Sequence, residues 1–165
     1  MNKLNKILLI TGIAGILAAI GYTVWREYNL LWRYEWWFKN YIVRQLNKSR
    51  AVIDFYFDVE NKSSLDVTIE SYDIDMYAEG VKVAKLTGTR KQLIKANAMS
   101  TFSLRADFVP QNVLNTQQIA IFIAAFTGFG DINLQFKGHF NASHSFVKLR
   151  KFPFNYTTSL KKMLE

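Results

Sequence analysis

The sequence predicts a mainly β chain, an antiparallel β-sandwich preceded by a long N-terminal hydrophobic helix. Three observations lead there. Residues 7–25 are nineteen uncharged positions in a row. From Ala51 onward apolar residues recur with a period of two. Turn-forming clusters then cut that alternation into six or seven strand-length pieces. Half of the 165 residues are apolar and 15% are aromatic, enough to build a core. Cysteine is absent, which excludes disulfide frameworks, thiolate metal sites and cysteine nucleophiles.

The run from Ile7 to Trp25 would reach about 28 Å as a helix, close to the ~30 Å hydrocarbon core of a bilayer. Residues 1–25 therefore predict a transmembrane-length anchor. A signal peptide is the rival reading, but Ala18-Ala19-Ile20-Gly21 makes a poor cleavage site. Small residues four apart, Ala14 with Ala18 and Gly15 with Ala19, would let such helices approach closely.

Residues 26–50 predict an aromatic and basic stem helix. Neither Gly nor Pro interrupts it, and Arg26, Asn29, Arg33, Asn40, Arg44 and Asn47 fall on one helical stripe. That spacing extends the helix to about Leu46. Trp25, Arg26, Tyr28, Trp32, Arg33, Trp36, Trp37, Tyr41 and Arg44 are expected at a boundary, against either lipid headgroups or partner subunits.

Residues 51–157 read as the sandwich. Ile53, Phe55, Phe57 and Val59 alternate with Asp54, Tyr56, Asp58 and Glu60, a strand with one buried face. Asn61-Lys62-Ser63-Ser64 is a turn. The strand over 66–77 changes parity, which predicts a bulge near Ser71. Glu79-Gly80 predicts a hairpin into Val81 and its neighbours to Leu86. Residues 92–94 pair briefly, and 99–109 form a long strand with Phe102, Leu104, Ala106 and Phe108 inward. Pro110 opens a short helix near 110–126, with Ile119, Phe122, Ile123 and Phe126 on its buried face. Strands follow over 131–140 and about 145–156, and 158–165 is a basic tail. This spacing predicts an immunoglobulin/fibronectin-III-like sandwich.

The net charge of +8 sits at the ends: residues 1–50 carry +6, residues 51–147 carry −2 and residues 148–165 carry +4. A nucleic-acid-binding globule would place its basic excess on the folded body. No specific nucleic acid is expected.

The sequence offers no catalytic constellation. His139 and His144 are the only histidines and lack a carboxylate at ligand spacing, so neither a metal nor a cofactor is expected. Asp54, Asp58, Glu60, Asp73 and Asp75 read as a solvated sheet face that discourages edge association. Gly128-Phe129-Gly130 follows its helix and so offers no phosphate cradle at a helix N-terminus. An enzyme and a small-molecule substrate are not expected.

Several segments carry a resemblance. Phe57-Asp58-Val59-Glu60-Asn61 followed by Leu65-Asp66-Val67, the hairpin Tyr77-Ala78-Glu79-Gly80-Val81-Lys82-Val83, and Ile94-Lys95-Ala96-Asn97 stand in order. Phe136-Lys137-Gly138 and Val147-Lys148-Leu149 close the set. Together they resemble the late-embryogenesis-abundant type 2 domain, also called the water-stress and hypersensitive-response domain, over about 51–157. Asn61, Gly80 and Gly138 are the fold-motif residues. The family commonly has Asn-Pro-Asn at the first turn, where this chain has Asn61-Lys62-Ser63. The resemblance implies a stress-associated or accessory domain without cofactor or catalysis.

Two functional expectations follow. One is a non-enzymatic, membrane-anchored binding or scaffolding module, single-pass at a bacterial envelope, with the lipid bilayer as partner. The alternative is a repeated structural subunit of a large assembly, such as a virion or secretion apparatus. There the N-terminal helix would pack against hydrophobic partner subunits, homo-oligomers included.

Overall fold

The computed structural model describes residues 21, 22, 25, 26, 29, 34–144 and 147–163. Its strands are β1 (Glu35–Asn47), β2 (Arg50–Asn61), β3 (Val67–Ala78), β4 (Val81–Gly88), β5 (Gln92–Ile94), β6 (Ala98–Phe108), β7 (Asn133–His144) and β8 (Val147–Ser159). One helix, α1 (Thr116–Phe126), lies between β6 and β7. One antiparallel sheet has the order β1-β2-β6 and the other β4-β3-β7-β8, with β5 pairing β3 beside β4. The mainly β, antiparallel architecture predicted from alternation is what the chain adopts.

The inward residues meet between the sheets. Ile53, Phe55, Phe57 and Val59 of β2, and Phe102, Leu104 and Ala106 of β6, have no exposed surface. They face Ile74, Met76, Phe136 and Phe140 of the other sheet in one cluster. Edge-to-face aromatic pairs such as Phe102 with Phe140 at 4.9 Å and Phe55 with Phe136 at 5.0 Å bind the two layers.

The expected stem helix is corrected. From Glu35 to Asn47 the chain is a strand paired along β2, not a helix reaching Leu46. The register slips between Phe38 and Asn40 and again between Val43 and Gln45, so Lys39 and Arg44 are the extra residues of two bulges. Inward positions therefore fall at Trp36, Phe38, Tyr41, Val43 and Leu46, all packed on the core. Outward Asn40, Arg44 and Asn47 inherit a spacing that imitates a helical stripe.

The single-pass membrane localisation is also corrected. Among the described residues no helix is long and apolar enough to cross a membrane. Gly21, Tyr22, Trp25, Arg26 and Asn29 are helical, and residues 1–20, which hold most of the expected anchor, lie outside the described residues. The helical insertion begins later than Pro110. A 3-10 turn occupies Pro110–Asn112, and α1 starts behind Asn115, whose side chain accepts from the Gln118 amide at 2.9 Å. The Gln118 side chain accepts in return from the Asn115 amide at 3.0 Å. This reciprocal capping satisfies two otherwise orphaned donors.

Local devices hold the sheets in register. The buried Asn61 carboxamide accepts from the Ser63 amide at 3.0 Å and donates to the Leu65 carbonyl at 2.8 Å, so its side chain organises the first turn. Glu79 and Gly80 have φ of 47° and 78°, the paired positive values of a tight hairpin turn. At Gly138 a Cβ would stand 2.1 Å from the Asp73 carbonyl oxygen, so β7 and β3 approach closely there. The bulge predicted near Ser71 is present, with register shifting between Ile69 and Ser71. Asn141 of β7 spans it, donating to Ser71 Oγ at 2.9 Å while accepting from the Lys151 amide of an irregular β8 at 3.1 Å.

Candidate docking surface at the helix-capped end

Between Asp107 and Asp131 no residue is charged, in a chain that is 21% charged. This stretch forms the 3-10 turn, α1 and the loop that follows, and it covers one end of the sandwich. Phe122, Ala125 and Phe126 plug that end, with Phe126 edge-on to Tyr41 at 5.3 Å. Burying these rings leaves the opposite helix face outward. It carries Gln117, Ala120 and the 44% exposed Ile121.

Phe129 is the extreme case, at 88% exposure. It follows Gly128, whose φ of 86° turns the chain out of the helix. The turn is fully hydrogen-bonded: the Thr127 amide donates to Ile123, Gly128 to Ala125 and Phe129 to Ala124. The exposed ring thus stands on a satisfied backbone. Val113 is 40% exposed at the other end of the same stretch. Between α1 and the β3–β4 turn lies a notch of about 100 Å³, lined by the apolar Ala78, Leu114, Ile121, Phe122 and Ile132 with Glu79 and Gln118.

Charge surrounds this surface asymmetrically. Asp131 accepts from the amides of Ile132 at 2.9 Å and Lys161 at 2.8 Å. The Lys161 amide is the main reason that its carboxyl is held below the usual carboxylate range. Glu79 is likewise engaged, accepting from the Asn133 amide at 2.6 Å. Lys48, whose carbonyl accepts from the Gln111 amide, and Lys161 and Lys162 are exposed, and the Lys161 charge helps to hold the Asp131 carboxyl low. Asp131 and Glu79 accept from backbone amides, and Asp107 is paired with Arg50. The lysines face water.

The boundary residues expected from sequence fall elsewhere. Trp25 and Arg26 are helical and exposed, whereas Tyr28, Trp32, Arg33 and the small residues Ala14, Gly15, Ala18 and Ala19 lie outside the described residues. Trp36 points inward and stacks on Phe140 at 5.3 Å, and Tyr41 packs on the core. Trp37 is 40% exposed on the outer sheet face. Arg44 bonds Asp54 at 3.0 Å, and Arg105 reaches the same carboxylate at 2.6 Å. The hydrogen bond from Arg105, with that from Arg44, holds the Asp54 carboxyl below its ordinary range. Lys39 similarly bonds Asp58 at 3.1 Å.

The carboxylates read as a plain solvated face are therefore an ion-paired one. Sequence reasoning passed over Val113, Ile121, Phe129 and the three lysines. The signal was available: the long uncharged stretch is as conspicuous as the N-terminal run. Among the described residues no group of three or more His, Asp or Glu stands where it could hold a metal ion.

Comparison with known proteins places these features in a context. The family model LEA_2, late embryogenesis abundant protein, matches residues 56–158. No curated protein matches the chain. Similar solved structures include a protein from Archaeoglobus fulgidus at 13% identity, covering 73% of this chain and 91% of that one, with a TM-score of 0.48. A protein from Arabidopsis thaliana solved in solution is 16% identical over 73% of this chain and 74% of its own, with a TM-score of 0.38. A putative ApaA protein from Bordetella pertussis is 10% identical over 76% and 92%, with a TM-score of 0.39.

Proposed function

This chain belongs to the late embryogenesis abundant family LEA_2, whose model spans more than half of it, and from that membership we propose a stress-related, non-enzymatic binding or scaffolding module. The observation that carries the binding role is Phe129, an aromatic ring 88% exposed in the same uncharged stretch as the exposed Ile121. Burying a phenylalanine is worth about 1.5–3 kcal/mol. A ring held outward forgoes that gain unless another surface takes it.

The finer fold description is part of the same proposal. Three strands, β1-β2-β6, oppose four, β4-β3-β7-β8. That connectivity supports the fibronectin-III-like variant of the immunoglobulin sandwich. In this reading the loops at the sandwich ends carry the binding, and α1 is the binding element grafted between two core strands.

The absence of cysteine makes a direct test available. Ala120→Cys in the full chain, labelled with an environment-sensitive dye, places a reporter on the exposed helix face. Its emission is expected to shift to the blue on octyl-coated beads. Substituting Phe129→Ser and Ile121→Ser in the labelled chain should remove most of the shift. A dye at Met99→Cys, at the opposite end of the sandwich, should not shift. Equal shifts with and without Phe129 and Ile121 would overturn the docking role.

A further inference from the structure

Resting on the reading of this end as a docking surface, we infer that its partner is an anionic lipid surface, which the folded domain touches peripherally. Three observations on the same end favour that partner.

First, the protruding group is convex and carries few directional contacts. Phe129 stands out at 88% exposure behind the C-terminus of the helix, Ile121 on its outer face is 44% exposed, and Val113 before its N-terminus is 40% exposed. A protein partner for such a ring needs a preformed pocket, whereas the headgroup and acyl boundary of a lipid layer deforms around it.

Second, the backbone under the ring is ready to lose water. The amides of Thr127, Gly128 and Phe129 all bond helix carbonyls, and Thr127 Oγ1 donates to Ile123 at 2.9 Å. In an apolar medium each unsatisfied backbone group would cost several kcal/mol. Here the C-terminal turn of α1 carries its partners with it. The notch of about 100 Å³ beside Ile121 adds a recess that an acyl segment could enter.

Third, lysines outnumber carboxylates around the apolar centre. Lys48, Lys161 and Lys162 flank it and outnumber the carboxylates of Asp131 and Glu79, which accept from the neutral amides of Lys161, Ile132 and Asn133. An apolar centre with exposed lysines at its margin matches acyl chains below and phosphate or carboxylate headgroups around them. This contact involves no spanning segment.

The test uses the full chain carrying the Ala120→Cys dye and phosphatidylcholine vesicles with or without phosphatidylserine. A blue shift is expected with phosphatidylserine, much weaker without it, and declining as salt rises. Lys161→Gln with Lys162→Gln should weaken the apparent vesicle affinity on the order of 5-fold per lysine. Phe129→Ser should reduce the shift at saturating vesicles, and the dye at Met99→Cys should stay unshifted.

Equal shifts on neutral and anionic vesicles would overturn the anionic requirement, and no shift on either would overturn the lipid partner. If the dye still responds to octyl-coated beads, the docking reading survives that failure. If it responds to neither, both fall. A shift that grows with protein concentration in the absence of vesicles would identify a second copy as the occupant and overturn the lipid assignment.

Discussion

Arg44 and Arg105, on strands either side of β2, share one carboxylate, that of Asp54, at 3.0 and 2.6 Å. Asp54 is 5% exposed, whereas both arginine side chains are more than half exposed. The geometry makes the pairs unequal in what each partner would leave behind. Removing either arginine leaves Asp54 a second donor. Removing Asp54 leaves two like charges facing each other across the sheet.

Asp54→Ala should therefore destabilise the fold by about 1–3 kcal/mol, in the range of hydrogen bonds to charged groups. Arg44→Ala should cost much less, as exposed ion pairs contribute little. The pH dependence follows from the depressed Asp54 pKa. Its contribution is present above the ordinary carboxylate value and is lost as pH falls through the lower folded value. Urea titrations of wild type and Asp54→Asn across acid pH would check this. Parallel curves would contradict it.

The two neighbouring tryptophans of β1 should behave oppositely. Trp36 contacts Phe102 at 6.0 Å and Phe140 at 5.3 Å, one ring from each sheet. Trp36→Ala should cost about 3–5 kcal/mol. Trp37 faces outward, and its replacement should stay within about 1 kcal/mol. Thermal melts of both variants decide the matter, since a stem outside the fold would make both silent.

Gly138→Ala should be among the most damaging small substitutions. The new Cβ would meet the Asp73 carbonyl oxygen at 2.1 Å and the Ile74 Cα at 2.6 Å, both backbone atoms of a central strand. Relief requires the β3–β7 pairing to open, and we expect a loss of about 3 kcal/mol, the upper end for overpacking. Denaturant midpoints would show it. A variant as stable as wild type would mean the strands separate there.

Tyr34→Phe should be neutral or stabilising by up to about 1 kcal/mol. The Tyr34 hydroxyl is buried without a hydrogen-bond partner among the described residues, while its ring packs edge-on to Phe152 at 5.7 Å. Deleting an unpaired buried hydroxyl removes a desolvation penalty and leaves the ring in place. Burial also raises the Tyr34 pKa above its ordinary value of 10.0. The unfolded chain therefore ionises first, and stability falls as pH rises above about 10 toward the folded value. Tyr34→Phe should flatten that alkaline decline in pH-dependent melts.

The sandwich was legible wherever alternation ran unbroken. Ile53 through Val59 and Phe102 through Ala106 announce their faces by parity alone, and the three residues Gln92–Ile94 were readable because turns bracket them. β1 was not legible as a strand. Its two bulges convert a period of two into steps of two and three, and the aromatic content that suggested a boundary belongs to the core. The docking end was half legible. The uncharged stretch is plain in the sequence, but which of its apolar residues stay outside depends on how α1 rotates over Tyr41 and Phe55. The lysines beside it come from the β1–β2 turn and the C-terminal segment, brought together only by the fold.

The bulges at Lys39 and Arg44 also make β1 tolerant of a one-residue deletion at two places along its length. Omitting Lys39 joins Phe38, opposite Phe57, directly to Asn40, opposite Tyr56, and the register of the whole strand is kept. Omitting Arg44 does the same between Val43 and Gln45. A deletion away from both bulges would turn the residues between it and the nearest bulge or strand end inside out. Relatives with a shorter first strand are thus expected to lack residues at these two places. They would lose with them a cation over Asp58 or Asp54 and gain a straighter, more adhesive sheet margin.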